Sequence, residues 1–212
     1  MNIKANITNI LLDLDEKVQL VAVSKTKPTN YIFEAYQAGQ RIFGENKVQE
    51  LIEKSANLPD DIQWHMIGHL QTNKVKYIAP FVSLIHSVDS KKLLIEIDKR
   101  AKQHERVIHC LLQIHIAQES SKFGLSENEA LELLEMKLAN VSIDGLMGMA
   151  TFTDNKQQIR SEFKSLKNTF EKAKSKFNKL SILSMGMSGD YDIAIEEGSN
   201  MIRIGSSIFG SR

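Results

Sequence analysis

Residues 18–39, VQLVAVSKTKPTNYIFEAYQAG, split into two parts with different periods. VQLVAVS (18–24) is short and apolar, with the β-branched content of a buried strand. TNYIFEAYQAG (29–39) has helical spacing and a charged face. The same pairing recurs down the chain. RIFG precedes NKVQELIEKSA, IQWHMIG precedes QTNKVKYIA, and FVSLIHSV precedes SKKLLIEIDKRAKQH. RVIHCLLQIHI then leads to SENEALELLEMKLA, VSIDGLMGM to KQQIRSEFKSLKNTFEKAKSKF, LSILSMG to YDIAIEEG, and NMIRIG to SSIF. In the fifth helix-like run, Leu131, Leu134 and Leu138 fall on one expected face, with Glu129, Glu132 and Glu135 between them.

Eight strand–helix units in 212 residues predict an α/β fold, a single-domain (β/α)8 TIM barrel near the small end of that architecture. A doubly wound open sheet is the alternative, because alternation alone does not show closure. The first strand–helix turn lacks GxGxxG, which weakens the dinucleotide form of that alternative. The opening MNIKANITNILLDLDEK is broken by Asp13, Asp15 and Glu16, so it reads as an amphipathic helix over 1–16 packed on the barrel, and not as a signal peptide. Nothing marks a domain boundary, so 1–212 is expected to be one domain.

The formal net charge is +1, which gives no global electrostatic case for nucleic acid or an anionic membrane. No apolar run approaches the roughly 20 residues of a membrane span. Cys110 is the sole cysteine, so no intrachain disulfide can form and a cytoplasmic setting is expected.

Barrel sites lie in the loops at the C-terminal ends of the strands. Alternation puts Val21, Val23 and Lys25 on one face of the first strand and Leu20, Ala22 and Ser24 on the other. If the first set faces inward, Lys25 sits at the mouth. Desolvation there favours the neutral amine, a nucleophile suited to an aldehyde. The alternative is a solvated lysine just past a strand. Lys27, before Pro28, reads as surface, with a helix beginning at the proline.

SMGMSGDYD (184–192) and MIRIGSSIFG (201–210) are Gly/Ser turns after the seventh and eighth strands, where barrels build phosphate sites. Ser188, Ser206 and Ser207 could add hydroxyl donors. Arg203 interrupts an apolar strand and shares parity with Met201 and Gly205. An inward arginine needs a partner. Asp144 and Glu45 are the carboxylate candidates, and a ring nitrogen or anion of a ligand is the functional one.

Asn46 follows a short strand and could reach the mouth, while Met147 and Met149 alternate inward on the sixth. His65 and His69 are four apart across a strand end, and His109 and His115 share a strand face without further ligands, so no metal site is expected.

These features, as VAVSKTKP, FGENKVQE, WHMIGHLQTNK, DGLMGMA, LSMGMS and RIGSSIFG, resemble the pyridoxal 5′-phosphate (PLP) homeostasis proteins, single-domain relatives of the alanine racemase barrel, from about Val18 to Arg212. The resemblance implies that Lys25 forms an internal aldimine with PLP, that Ser188, Gly205 and Ser206 hold its phosphate, and that Arg203 faces the pyridine nitrogen. It places Asn46 and Met147 on the pocket lining. Lys47, His115 and the run Gly148-Met149-Ala150-Thr151 depart from the family pattern.

An arginine beside the ring nitrogen disfavours its protonation and weakens the ring as an electron sink. Racemisation also needs acid/base groups on both faces, and Lys25 serves one. Tyr31, Tyr36, Tyr77 and Tyr191 are the tyrosines available, and none is given an opposed pose by its position. The expectation is a PLP-holding protein without assigned catalytic residues, with PLP-dependent apo-enzymes as possible recipients. A slow PLP-dependent amino-acid racemase is the alternative.

Overall fold

The computed structural model describes residues 2–118 and 123–210; the ends of the 1–212 span and the segment 119–122 lie outside them. Eight strands occur in order: β1 (Gln19–Val23), β2 (Ile42–Glu45), β3 (Gln63–Met66), β4 (Leu84–Val88), β5 (Ile108–Gln113), β6 (Val141–Met147), β7 (Ile182–Met187) and β8 (Met201–Ile204). Each pairs in parallel with the next, and β8 pairs back onto β1 from Gln19↔Met201 to Ala22↔Ile204. That last pairing closes the sheet and decides for the barrel over the open sheet.

Parallel neighbours require crossovers, and helices supply them. They are α2 (Thr29–Gln37), α3 (Val48–Asn57), the one-turn α4 (Val75–Ile78) after a 3-10 turn at Thr72–Lys74, α5 (Lys91–Gln103), α6 (Glu127–Leu134), α7 (Lys156–Lys176) and α8 (Tyr191–Glu196). A short α9 (Ser206–Phe209) follows β8, and α1 (Ile3–Asp13) precedes β1. None of the described helices is long and apolar enough to cross a membrane.

The alternation expected for β1 is seen. Leu20 and Ala22 join the large apolar layer between strands and helices. Val21 instead packs with Leu84, Leu111, Met147 and Met201, and with the partly buried Ile42, Met149 and Ile182, inside the barrel. One step further toward the strand C-termini, on the same faces, stand His86 after Leu84, Ser184 after Ile182 and Arg203 after Met201. The interior is therefore an apolar tier beneath a polar one. Near the opposite end, His109 Nδ1 meets Asp144 Oδ2 at 2.6 Å.

Helix α1 docks through Ile3, Ile7 and Ile10, three and four residues apart on one face. Burying each side chain contributes about 1.5–3 kcal/mol. Asn2 caps the helix by accepting from Ala5 N–H at 2.9 Å, and Asn6 Nδ2 donates to the Ile208 carbonyl at 2.9 Å, so the first helix is tied to the last.

Two expectations are corrected. Helix α6, opened by a Ser126/Glu129 capping box, ends at Leu134 with Glu135 as its C-cap. Leu138 is therefore off the helix, and Ala130 and Leu133 form its buried face. Strand β5 ends at Gln113, so His115 lies beyond it and shares no strand face with His109.

Candidate functional site

Ser24 to Lys27 form a turn just past β1, closed by Lys27 N–H donating to the Ser24 carbonyl at 3.1 Å. Lys25 and Thr26 are its middle residues, Lys25 is half-buried, and Thr26 adopts φ +63°. A β-branched residue in the left-handed region is costly and persists only where surroundings enforce it.

Helix α3 does the enforcing. Lys54 Nζ donates to the Ser24 carbonyl at 2.9 Å, to Glu45 Oε1 at 2.8 Å and to Glu50 Oε2 at 2.9 Å. Glu50 Oε2 also accepts Thr26 N–H at 2.7 Å, and Ser24 Oγ donates to Glu45 Oε1 at 2.6 Å. Burial raises the Glu45 carboxyl, against the pull of Lys54 and Ser24. For Glu50 burial also pushes upward, but the Thr26 N–H and Lys54 outweigh it and hold the carboxyl below its usual range. The outward parity of Ser24 therefore has a purpose: its carbonyl and hydroxyl reach the helix layer, behind the lysine.

Arg203 is 4% exposed, and its partners are neutral. Nη1 donates to Ser184 Oγ at 2.6 Å and Nη2 to the Gly148 carbonyl at 3.0 Å. Neither expected carboxylate reaches it. Glu45 faces outward to Lys54, and Asp144 pairs with His109. Burial lowers the guanidinium to about 10, against the opposing pull of the Asp190 charge.

The polar tier continues from Ser184 Oγ to His86 Nδ1 at 3.2 Å and from His86 Nε2 to His65 Nδ1 at 3.0 Å. Arginine only donates, so Ser184 accepts from it, and the serine proton has His86 Nδ1 as its acceptor. With the serine proton so assigned, His86 carries its own on Nε2 and gives it to His65 Nδ1. Both rings are neutral. Burial holds His65 down to about 3, and burial together with His65 and Arg203 holds His86 well below its ordinary value. The chain thus has one polarity, and its charge sits at the arginine end.

The remaining sequence candidates gather around the same opening. Gly205 lies against the end of β1, where an added Cβ would sit 3.3 Å from the Val23 carbonyl. Its N–H donates to Ser188 Oγ at 3.2 Å, which joins the turns after β7 and β8 and leaves Ser188 its own proton to donate. Ser206 and Ser207 are exposed at the start of α9, ahead of its first bond, from Ile208 N–H to the Gly205 carbonyl at 3.0 Å. Asn46, just past β2, has a buried amide oxygen without a hydrogen-bond partner. Its backbone presses on Gly68, whose added Cβ would lie 2.4 Å from the Asn46 carbonyl oxygen. Met147 is fully buried in the inner apolar tier, so it underlies the mouth instead of opening onto it. Lys27 Nζ donates to the carbonyl of Gly210, the C-cap of α9, at 3.1 Å.

Sequence reasoning missed Ser184, His86, Glu50 and Lys54. The alternation Leu84–His86 and Ile182–Ser184 carried the signal for two of them. His65 and His69 separate: the first is inside the barrel, and the second meets Asp89 at 3.0 Å and stacks on Phe123 at 4.1 Å. A cleft of about 430 Å³ lies there, lined by His69, Asn73, Asp89, Ser90 and Lys92 among others, and none of the seven candidate residues borders it.

Residues 1–212 match the family model described as alanine racemase, N-terminal domain, which is the class of barrel this fold and mouth define. The pyridoxal phosphate homeostasis protein of Vibrio alginolyticus is 42% identical over 205 residues, covering 93% of this chain and 88% of that protein. The one from Aquifex aeolicus is 41% identical over 198 residues, covering 92% and 87%. The solved structure of PipY from Synechococcus elongatus PCC7942 with PLP bound superposes with a TM-score of 0.90 at 35% identity, covering 98% of this chain and all of that one. The chain belongs to the pyridoxal phosphate homeostasis protein family.

The hydrogen-bond chain has a testable pH signature. His65 and His86 should remain neutral Nε2–H tautomers from pH 8 to pH 5, read from imidazole nitrogen shifts; an imidazolium in that range contradicts the chain. In the unfolded protein both take up protons below about pH 6.5. The folded state does not, so stability should fall with pH by about 1.4 kcal/mol per unit per histidine. His86→Gln should flatten that slope by about one proton in urea titrations.

Proposed function

We propose that the protein holds pyridoxal 5′-phosphate reversibly, with Lys25 as its covalent attachment point, and serves homeostasis of that cofactor by storing, buffering or delivering it. The observation that carries this reading is the meeting, at one end of the barrel, of the Lys25 turn with the linked Ser188 and Gly205 turns. The residues fit the cofactor chemically. The orphaned Asn46 amide oxygen and the Ser206 and Ser207 N–H groups that open α9 are polar capacity beside an arginine whose hydrogen bonds go to neutral groups.

When bound, the cofactor supplies an aldehyde and a phosphate. Lys25 offers the amine for the first. The hydroxyls of Ser188, with its remaining proton, and of Ser206, together with the N–H groups of Gly205 and Ser206, serve the second; Gly205 exchanges its present bond to Ser188 for the anion. Arg203 stands for the ring, where a fixed cation disfavours a proton on a neighbouring nitrogen and so favours holding over carbanion chemistry. Asn46 orients the cofactor and Met147 supports the floor. No side chain is assigned as catalytic or as a metal ligand.

The tyrosines support a holding role. Tyr31 and Tyr36 are on α2, Tyr77 is on α4 and Tyr191 is on α8, all in the outer helical ring. The Tyr191 phenol is raised by burial and by the charges of Asp192 and Asp13. A cytoplasmic setting is consistent with the buried free thiol of Cys110, which burial pushes up. Recipients are PLP-dependent apo-enzymes, and neither nucleic acid nor membrane is required.

Replacing Ser188 and Ser206 together with alanine should weaken PLP retention about tenfold or more, since each removes a bond to a charged group. Binding of pyridoxal, which has no phosphate, should stay nearly unchanged in equilibrium dialysis; equal loss of both ligands contradicts the phosphate assignment. Loaded protein mixed with L-alanine in deuterated water should give no α-deuteration above free PLP. Exchange that requires Lys25 would instead support a slow racemase.

A further inference from the structure

We infer that Lys54 and Glu50 of α3 are positioning residues for Lys25, fixing the backbone from which its amine works; this rests on the proposed attachment of PLP at Lys25. The two peptide groups that flank Lys25 are both held by side chains from one helix. The Ser24 carbonyl on one side accepts from Lys54 Nζ, and the Thr26 N–H on the other donates to Glu50 Oε2. Lys54 and Glu50 in turn bind each other at 2.9 Å, so the clamp closes on itself. Glu45, wholly buried, anchors it to the barrel wall through Lys54 and Ser24.

The clamp holds the turn in a conformation it would not choose. Thr26 at φ +63° stores strain, and without the Glu50 acceptor its N–H has reason to rotate away. Lysine has a long side chain with many rotamers, so where its amine can reach depends on where its backbone is fixed. The same contacts separate the two lysines by role. All three Lys54 N–H bonds are taken by oxygen acceptors, so it cannot offer a lone pair while the network is intact. Capture at Lys25 proceeds by addition of its neutral amine to the aldehyde carbon. The nitrogen replaces the carbonyl oxygen, which leaves as water with the two amine protons. Such a step depends steeply on approach geometry, where a misplacement of about 1 Å can cost about a hundredfold.

The test compares the unmodified protein with Lys54→Met, Glu50→Ala and Glu50→Gln, each first checked for cooperative unfolding. PLP attachment is quenched with borohydride at timed intervals and read as labelled Lys25 peptide by mass spectrometry. Affinity for pyridoxine 5′-phosphate, which has the ring and phosphate but an alcohol for the aldehyde, is measured in parallel. Lys54→Met and Glu50→Ala should slow labelling of Lys25 roughly tenfold or more, with pyridoxine 5′-phosphate affinity within about twofold. Glu50→Gln keeps an oxygen for the Thr26 N–H and should fall between the unmodified protein and Glu50→Ala. Unchanged labelling in folded variants overturns the inference, as does equal loss of both ligands, which marks the network as a fold element only. If Lys54→Met does not fold, the Glu50 pair decides, because it leaves the Glu45–Lys54 contact in place. Absence of label at Lys25 in the unmodified protein overturns the PLP reading itself, and with it this inference.

Discussion

The ammonium of Lys54 is buried between helix and barrel wall with a backbone carbonyl and two carboxylates around it. An unpaired charge there would be costly, and breaking such a pair by removing one partner typically costs about 3–5 kcal/mol. The network therefore constrains everything attached to it: the end of β1, the end of β2, the start of α3 and the turn that carries Lys25. The mouth of the barrel inherits its geometry from a contact on the far side of the strands.

Two buried cations on either side of the same sheet are treated in opposite ways. Lys54, outside, has carboxylates; Arg203, inside, has a serine hydroxyl, a carbonyl and two neutral histidines behind them. The first arrangement cancels charge and leaves rigidity. The second leaves positive charge at the mouth, oriented through hydrogen bonds to neutral groups, with Asp190 acting on it by charge alone. On the proposed function, that difference separates structure from function in this barrel, since a site that receives an acceptor or an anion is served by a cation without a carboxylate hydrogen bond.

Much of this was legible in the sequence because it depends on periodicity. The repeat set by VQLVAVS and TNYIFEAYQAG predicts the eight units, and alternation puts Val21 inside and Ser24 outside. Spacing alone brought Lys25, Ser188, Arg203, Gly205 and Ser206 to one end. What it could not supply were partners across the fold. Arg203 looked as if it needed Asp144 or Glu45, but those residues are engaged at the barrel's other end and outer face. Lys54 and Glu50 read as an ordinary i,i+4 helix pair until Glu45 and Ser24 close over them. His86 and Ser184 alternate correctly, yet only the closed barrel brings β4 and β7 within reach of each other. The Leu131, Leu134 and Leu138 stripe failed for a local reason, because the helix caps at Glu135 before the third leucine.

The central claim is that Lys25, held from behind by α3, and Arg203, held by neutral partners, face one PLP site. A crystal structure of the protein loaded with PLP tests it most directly. The account predicts continuous density from Lys25 Nζ to the cofactor, its phosphate against Ser188, Gly205 and Ser206, and Arg203 still donating to Ser184. Cofactor bound elsewhere with Lys25 unmodified, or Arg203 turned to a carboxylate, would contradict it.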